Sequence, residues 1–359
     1  GYGANLSFGK FSGRFNFGGF INMNSPGLEL NDLGFLNATD EVIQVLWAGY
    51  SFNEPFGIFR SARLSMNQYN LFDFGGTRQL SGYNINGRAQ FTNLWYAGFH
   101  WDIDTDMIRN SMLRGGPAMK IPGGNSASLF METNTRRKLS FEMDGFIYLG
   151  REESSRRYGI DFDVTYKPIS NLSLSLYPEY SIRQSQLQYV SFLEPESEER
   201  YVFASINQKT FSTSLRVDLV LTPELTIQYW GQPFIATGDY SDFKYITDPM
   251  ADQFSDRFQV YGDAEIQYDE AEGYYNVTEK GSGLSYGFED PDFNIKEFLS
   301  NLVFRWEYRP GSYLYMVWSQ TRSCHDPYGY FNFGDDFMYM WDSHPTNVLL
   351  MKVSYRFGR

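Results

Sequence analysis

The chain has 359 residues, of which 42% are hydrophobic and 20% are charged, and it contains 27 Tyr, 32 Phe and 7 Trp. This composition excludes a disordered chain, because disordered chains are poor in aromatic residues. A net charge of −13 argues against nucleic acid as a partner, since binding a phosphate backbone needs a basic face. The single cysteine, Cys324, excludes an internal disulfide and a CxxC metal or redox site.

Hydropathy excludes a helical membrane protein, because no stretch reaches the roughly 18 consecutive apolar residues that a spanning helix requires. A membrane β-barrel stays possible, since each of its strands needs only about 9–11 residues and carries apolar residues at alternate positions. The sequence does not open on the basic start and apolar core of a signal peptide. We therefore expect a mature, trimmed or partial chain.

Apolar and polar residues alternate along most of the chain, which predicts strands with one apolar face. Leu172, Leu174 and Leu176, for example, alternate with Ser173 and Ser175. In chain order the predicted strands lie near 13–24, 41–53, 58–73, 80–91, 94–104, 126–134, 138–150, 155–167, 171–186, 200–221, 224–238, 295–308, 311–322 and 346–357, with a weaker candidate at 2–9.

The predicted connections alternate in length. Short turns fall at 53–57, 92–93, 135–137, 168–170, 222–223 and 309–312, and long loops fall at 25–40, 105–125, 187–199, 239–294 and 323–345. Short turns on one side and long loops on the other are typical of outer-membrane barrels. We therefore predict an all-β fold, an antiparallel transmembrane β-barrel of about fourteen strands (14–16, and more if the chain is a fragment), which forms one domain over residues 1–359.

A soluble β-sandwich is the alternative, since it also has alternating strands. A cation that faces lipid at the midplane of a barrel costs roughly 2–4 kcal/mol, so a barrel keeps its cations on the lumen face. Arg322 is the exception, and it lies at the loop end of its strand. The predicted lumen-lining residues, all on the polar face of their strands, are Arg14, Arg63, Arg88, Arg157, Asp161, Asp163, Arg183, Arg216, Asp218, Arg305, Glu307, Lys352 and Arg356.

Four segments carry a resemblance to a known family: SPGLELNDLGFL (Ser25–Leu36), LRGGP (Leu113–Pro117), the run Tyr201–Phe243 and YRPGSYLYMVWSQ (Tyr308–Gln320). They resemble a Bacteroidota outer-membrane β-barrel family that is catalogued as a domain of unknown function. The resemblance spans nearly the whole chain. It implies location in the outer membrane of a Gram-negative cell and a barrel architecture, and it implies no catalytic residues. Members usually carry, before this region, a family-nine-type carbohydrate-binding module and further barrel sequence, so we expect the chain to be the C-terminal part of a longer protein.

The end of the chain carries a candidate assembly signal. Outer-membrane barrels usually end on an aromatic residue, and Phe357 keeps the alternation of Val353 and Tyr355, with two residues following it. We therefore predict that Phe357 is the outward-facing signal at the end of the last strand.

Candidate ion and catalytic sites are weak. Asp102, Asp104 and Asp106 form a DxDxD run that suits Ca²⁺, but Met107 occupies the position where a calcium loop needs Gly. A solvated acidic strand end is the preferred interpretation, and we predict no cofactor and no metal. A hydrolase would need a nucleophile beside a histidine. The residues available for such a site are His100, His325, His344, Ser323, Ser343, Asp326 and Asp342; turn chemistry and lumen filling explain them better, so we expect no enzyme.

The segment 239–294 is a long acidic loop, with fourteen Asp or Glu residues against three basic ones, a net charge of −11. It is too long for a passive connection. We expect an extracellular plug, lid or docking surface. Twelve of its residues are aromatic, and they either pack into a folded cap, the preferred interpretation, or stack on sugar rings.

Two functions stay open at this stage. The first is an outer-membrane channel or transporter component, with a lumen lined by paired Arg and Asp or Glu and a substrate that the sequence does not define, a glycan being the candidate. The second is a structural or docking barrel whose loops hold a surface lipoprotein or glycan without conducting. Expected partners in both cases are outer-membrane lipid, lipopolysaccharide and the barrel assembly machinery. Even strand counts are usual in barrels, so a strand at 2–9 would indicate a missing strand upstream.

Overall fold

The computed structural model describes residues 1–30, 34, 36 and 38–358, and within them the chain is all-β with one α-helix. Part of the predicted loop 25–40, and with it part of the motif Ser25–Leu36, lies outside the described residues. Among the described residues, no helix is long and apolar enough to cross a membrane.

Twenty-one strands and one helix make up the described chain. In chain order they are β1 (Gly3–Lys10), β2 (Phe15–Asn24), β3 (Glu41–Phe52), β4 (Phe59–Phe72), β5 (Arg78–Phe91), β6 (Tyr96–Asp104), β7 (Met107–Arg109), β8 (Met119–Ile121), β9 (Gly124–Glu132), β10 (Leu139–Gly150), β11 (Ser155–Ile169), β12 (Leu172–Leu193), β13 (Arg200–Thr222), β14 (Leu225–Ile246), β15 (Phe258–Val260), β16 (Ile266–Asp269), β17 (Tyr274–Thr278), β18 (Ser285–Glu289), β19 (Phe293–Arg309), β20 (Ser312–Asp326), α1 (Phe333–Asp342) and β21 (Thr346–Ser354).

Fifteen of these strands form one antiparallel sheet in which chain neighbours are also sheet neighbours, and β7–β8 and β15–β18 are insertions into its connections. The short β15 pairs with the far end of β14, whereas β7–β8 and β16–β18 form small sheets of their own. All fourteen predicted strands occur, and the weaker candidate at 2–9 is β1, paired with β2 along its whole length. Among the described pairings β1 and β21 each have one neighbour, so the sheet is open.

The register keeps two continuous faces across the sheet. On one face polar and charged positions lie opposite one another from strand to strand, as in Thr165 opposite Ser175 and Ser175 opposite Arg216. On the other face Tyr166 lies opposite Leu174, and Leu174 lies opposite Val217. We call these the polar face and the apolar face. Because the side-chain period of a strand is two, one residue of slippage would exchange them.

The apolar face is largely uncovered. Leu129 is 66% exposed, Met351 70% and Leu349 78%, and among the described residues no second sheet packs against them. A β-sandwich buries this face between two layers. The described chain therefore has one main layer, and the sandwich alternative is wrong.

The buried core lies at the end of the sheet that carries the long loops. There β12, β13 and β14 run for 22, 23 and 22 residues and extend past their neighbours. Tyr201 and Phe203 of β13 join a cluster with Leu113 and Phe254, on the apolar-face side of these extensions. The alternate residues of β13 join a second cluster on the polar-face side, which consists of Val202, Ala204, Phe243, Tyr261, Val277 and Phe288.

The last strand ends earlier than predicted. The pairing of β21 with β20 stops at Ser354 opposite Tyr313. The backbone N–H of Arg356 donates to the Ser312 hydroxyl at 3.1 Å and does not continue the ladder. Phe357 lies three residues beyond the strand and is 89% exposed, so the predicted strand end at 357 is wrong, and the role of Phe357 as an assembly signal stays a prediction.

The tight turn between β19 and β20 supports a stability prediction. Gly311 has a φ of +78°, and its N–H donates to the Glu307 carboxylate at 2.7 Å. We expect Gly311→Ala to lower the free energy of unfolding by about 1 kcal/mol, because a Cβ is strained in this left-handed conformation. The measurement is the midpoint of denaturant unfolding.

The matched control is Gly281→Ala, where an added Cβ meets nothing within 4 Å and the backbone is not left-handed. An equal loss of stability in both variants would contradict the prediction.

Candidate functional site

The polar face brings most of the predicted lumen-lining residues together. Arg63 lies opposite Arg88, and Arg157 lies opposite Arg183. In the last strands Arg305 and Lys352 both lie opposite Tyr315. Asp161, Asp163, Arg216, Asp218 and Glu307 occupy this face as well. Arg14 and Arg356 lie outside the strands, and Arg14 contacts Glu54 in the turn after β3 at 2.9 Å.

Charges of like sign are direct neighbours on this face. Besides the two arginine pairs, Glu142 lies opposite Asp163, and Asp144 lies opposite Asp161. Like charges directly opposite one another destabilise a sheet, so this arrangement has a cost that hydration or a counter-ion must offset. Sequence analysis did not include Glu142 and Asp144 in the lumen set, although they alternate with apolar residues in the same way.

Two of the ion pairs expected on this face do not form, whereas Arg305 lies 4.0 Å from Glu307 on β19. Among the described residues neither Arg216 with Asp218 nor Arg157 with its neighbouring carboxylates makes a salt bridge. Asp218 accepts from the Gln228 amide at 3.0 Å, and Arg183 donates to Gln188 at 3.0 Å. Across the described residues, Arg157, Arg183, Arg216 and Asp218 thus have no ion-pair partner.

The carboxylates of the polar face are grouped on adjacent strands. We call this group the acidic band; it runs over β9–β12 and consists of Glu132, Glu142, Asp144, Asp161, Asp163 and Glu179. One arginine pair lies on β4–β5, and the other lies on β11–β12 toward the end of the sheet that carries the long loops. The polar face thus has distinct acidic and basic regions.

The DxDxD run brings only two of its carboxylates together. The Tyr69 hydroxyl lies 2.5 Å from Asp102 and 2.8 Å from Asp104. Asp106 instead accepts from the Gly123 N–H at 3.2 Å and faces Arg151 at 3.7 Å. Within the described part of the chain, no group of three or more His, Cys, Asp or Glu side chains is arranged to hold a metal ion.

The candidate hydrolase residues have other partners. His100 lies on the polar face, and its Nδ1 is 2.5 Å from the Asn86 amide oxygen. The Ser343 hydroxyl donates to the carbonyl of Met340 at 2.7 Å, and Asp326 pairs with Lys296. Across the described residues, no serine hydroxyl has a hydrogen bond to a histidine.

The acidic loop is a folded module. We call residues 247–292 the cap; it contains β15 and the three-stranded sheet β16–β18. Its aromatic side chains pack on one another and on β14, with ring centroids 5.5 Å apart for Tyr275 and Phe288 and 4.5 Å apart for Tyr275 and Phe243 of β14. The prediction of a folded loop is confirmed. Tyr268 is 45% exposed and stays available for stacking on a sugar.

A buried ion pair joins the cap to β13 of the main sheet. The Arg200 guanidinium donates to both carboxylate oxygens of Glu279, at 2.7 and 3.1 Å, and the hydroxyls of Ser282 and Tyr286 donate to the same carboxylate. Burial acts to raise the pKa of Glu279, but the hydrogen bonds from Arg200, Ser282 and Tyr286 outweigh it and hold that pKa below its ordinary value. Sequence analysis missed this pair, because its members are 79 residues apart.

Alternation along β13 fixes the side on which the cap lies. Arg200, Val202 and Ala204 occupy the same alternate positions as Gln208 and Thr210, which belong to the polar face. The sheet β16–β18 therefore packs on the polar-face side of the strand extensions. The cap and the charged wall share one side of the sheet.

A buried carboxyl at the edge of the cap gives a pH prediction. Asp292 accepts from the Tyr240 N–H at 2.7 Å; burial, with neighbouring Asp290 and Asp239, raises its pKa to about 6. Because the folded chain then holds this proton more tightly than the unfolded chain, the stability contributed is full below pH 4 and is lost as the pH rises through 6. We expect the thermal unfolding midpoint to fall over that window, and to fall less in Asp292→Asn.

The control is Asp263→Asn at an exposed position of the cap, which should keep the pH dependence of the unmodified chain. If Asp292→Asn kept it too, Asp292 would not be its source.

Two comparisons bear on identity. The search among curated proteins found no match. A family model described as Domain of unknown function (DUF5916) matches residues 1–357. The match covers the charged wall, the cap and α1 together, and on this basis the chain belongs to the DUF5916 family.

Proposed function

We propose that the chain forms the wall of an outer-membrane β-barrel whose polar face lines a lumen, and that it acts as a channel or transporter component. One observation carries this proposal: a single-layer antiparallel sheet of fifteen strands exposes its apolar face and collects its charges on the other face. Closure of the open edges β1 and β21 into a ring, directly or through further strands, is part of the proposal.

The exposed apolar face supports a lipid environment. Soluble monomers rarely expose contiguous apolar patches larger than a few hundred Å². Here large apolar side chains are exposed on nearly every strand of the sheet, from Leu6 on β1 to Val353 on β21. A bilayer covers such a surface without any further protein.

The charged face supports conduction. The acidic band and the arginine pairs have few ion-pair partners and lie next to charges of like sign, a combination that water and passing ions relieve. A closed, salt-bridged filling would instead pair opposite charges. The cap lies on the same side of the sheet, so we propose that it covers the extracellular mouth and limits access.

The cap also supports the second candidate, a docking barrel. The open groove of the β16–β18 sheet is about 820 Å³ in volume and is lined by tyrosine and carboxylate side chains, among them Tyr268, Tyr274, Glu289 and Asp290. Aromatic faces with carboxylates suit sugar rings, and acidic loops suit cation-bridged lipopolysaccharide. In this case a surface glycan or lipoprotein binds the cap and nothing is conducted.

The orientation of the faces can be tested on β13. We expect Leu215→Arg, on the apolar face, to impair assembly by roughly 2–4 kcal/mol, because the guanidinium would face lipid. Ser214→Arg, one residue earlier on the polar face, should assemble normally. The measurement is folding yield into lipid vesicles, scored by the gel shift of the folded form, and equal yields for the two variants would reject the orientation.

Conduction can be tested in planar bilayers. We expect the inserted protein to form cation-preferring channels, and the pair Glu142→Gln with Asp163→Asn to lower the cation-to-anion permeability ratio, since it removes neighbouring charges of the acidic band. Glu153→Gln, at an exposed position outside that band, is the control and should leave the ratio unchanged. A fully inserted barrel that passes no current would reject the channel and leave the docking barrel.

A further inference from the structure

Helix α1 packs against the apolar face of the sheet. Ring centroids lie 4.9 Å apart for Phe333 of the helix and Phe211 of β13, and 4.5 Å apart for Trp341 and Phe298 of β19. Phe211 occupies the same alternate positions as Leu215, so it belongs to the apolar face. The loop between β20 and β21 therefore folds back over the outside of the wall.

Two cations of the apolar face lie under this loop, and each of them contacts carboxylate or carbonyl oxygens of the loop. Lys296 is fully buried; its ammonium contacts Asp326 and lies 3.6 Å from the carboxylate of Asp336 in α1. The Arg322 guanidinium donates to the carbonyl of Ser343 at 2.7 Å and to that of Trp341. A cation at the carbonyl end of a helix is favoured by the helix dipole.

A buried amide makes the same contact. The Asn294 side chain donates to the carbonyl of Tyr330 and to the carboxylate of Asp336, each at 2.9 Å, and it is fully buried. Without the loop, this part of the apolar face would present an amide and two cations. Groups of this kind are unfavourable next to lipid, and α1 covers this polar patch of the apolar face.

The outer side of the loop combines large exposed side chains with two carboxylates. Tyr330 is 68% exposed, Met338 66% and Tyr339 58%, and no described part of the chain covers them. Asp335 and Asp342 are exposed on the same side of α1, where polar headgroups or water can solvate them. Tyrosine and methionine suit the boundary between headgroups and acyl chains, where one end of a side chain is wet and the other is dry.

The height of α1 on the wall matches that boundary. From Thr222, the short-turn end of β13, to Phe211 the strand rises by eleven residues. At ~3.3 Å per residue and a tilt of ~40° this is about 28 Å along the barrel axis. The apolar band of an outer-membrane barrel is about 25 Å tall, so α1 lies at its outer edge.

We propose that α1 is an in-plane interfacial helix: Met338 and Tyr339 of the helix, with Tyr330 of the loop before it, bind the outer leaflet of the bilayer, while the inner side of α1 neutralises Lys296 and Arg322. This inference rests on the proposed function, because it requires the apolar face to lie in a membrane. The occupant is lipid at the headgroup boundary, since the exposed side of α1 continues the exposed apolar face of the wall.

The test places an environment-sensitive NBD fluorophore on single cysteines in a Cys324→Ser background, in phosphatidylcholine vesicles. Met338→Cys probes α1, and Tyr339→Cys repeats the measurement on the same side. Leu349→Cys on β21 reports insertion of the wall, and Ala264→Cys, at an exposed turn of the cap, reports water. We expect the label at Met338 to show a blue-shifted emission, to lose most of its fluorescence to lipids with a nitroxide near the headgroup, and to resist aqueous iodide.

The reference positions separate the two proposals. If Leu349→Cys is quenched by lipid nitroxide while Met338→Cys and Tyr339→Cys respond to iodide as Ala264→Cys does, the interfacial helix is overturned and the barrel stands. If Leu349→Cys is also quenched by iodide alone, the wall is not in the bilayer and both proposals fail.

Discussion

The uncovered apolar face is the constraint on which the rest of the structure depends. A strand sends successive side chains to opposite faces, and an antiparallel ladder in continuous register carries that division from β1 to β21. In a protein with two layers the apolar face would be buried by its own chain. Here the described chain leaves it exposed, and under the proposed function the bilayer covers it.

The polar groups on the apolar face support the same constraint. Lys296, Arg322 and Asn294 lie where a cover of lipid would be costly, and each of them has its partners in the loop that contains α1. The loop with α1 thus covers these polar groups on the apolar face. Its own exposed side carries Met338 and Tyr339 together with the carboxylates of Asp335 and Asp342.

The other departure from a uniform sheet is the length of β12, β13 and β14. They are about twice as long as the 9–11 residues that a spanning strand needs, and their extensions are buried on both sides by two different clusters. The ion pair between Arg200 on the extension of β13 and Glu279 of the cap fixes the cap to these extensions. A long acidic loop, which would otherwise pay a large entropic cost for order, is held in one place relative to the charged wall.

The sequence by itself determined the strands, their alternation and the two faces, because these depend on a period of two that is written in neighbouring residues, as in Leu172–Ser175. It also determined that the arginines would share one face. Tertiary structure alone decided which charges meet: Arg216 and Asp218 are close in sequence and do not pair, whereas Arg200 and Glu279 are distant and do. It also decided that the acidic loop is a folded cap and that the pairing of β21 ends at Ser354. The contact of Arg322 with the carbonyls at the end of α1 was likewise decided by the tertiary structure. Such contacts join residues far apart in the chain, so the local alternation of the sequence does not indicate them.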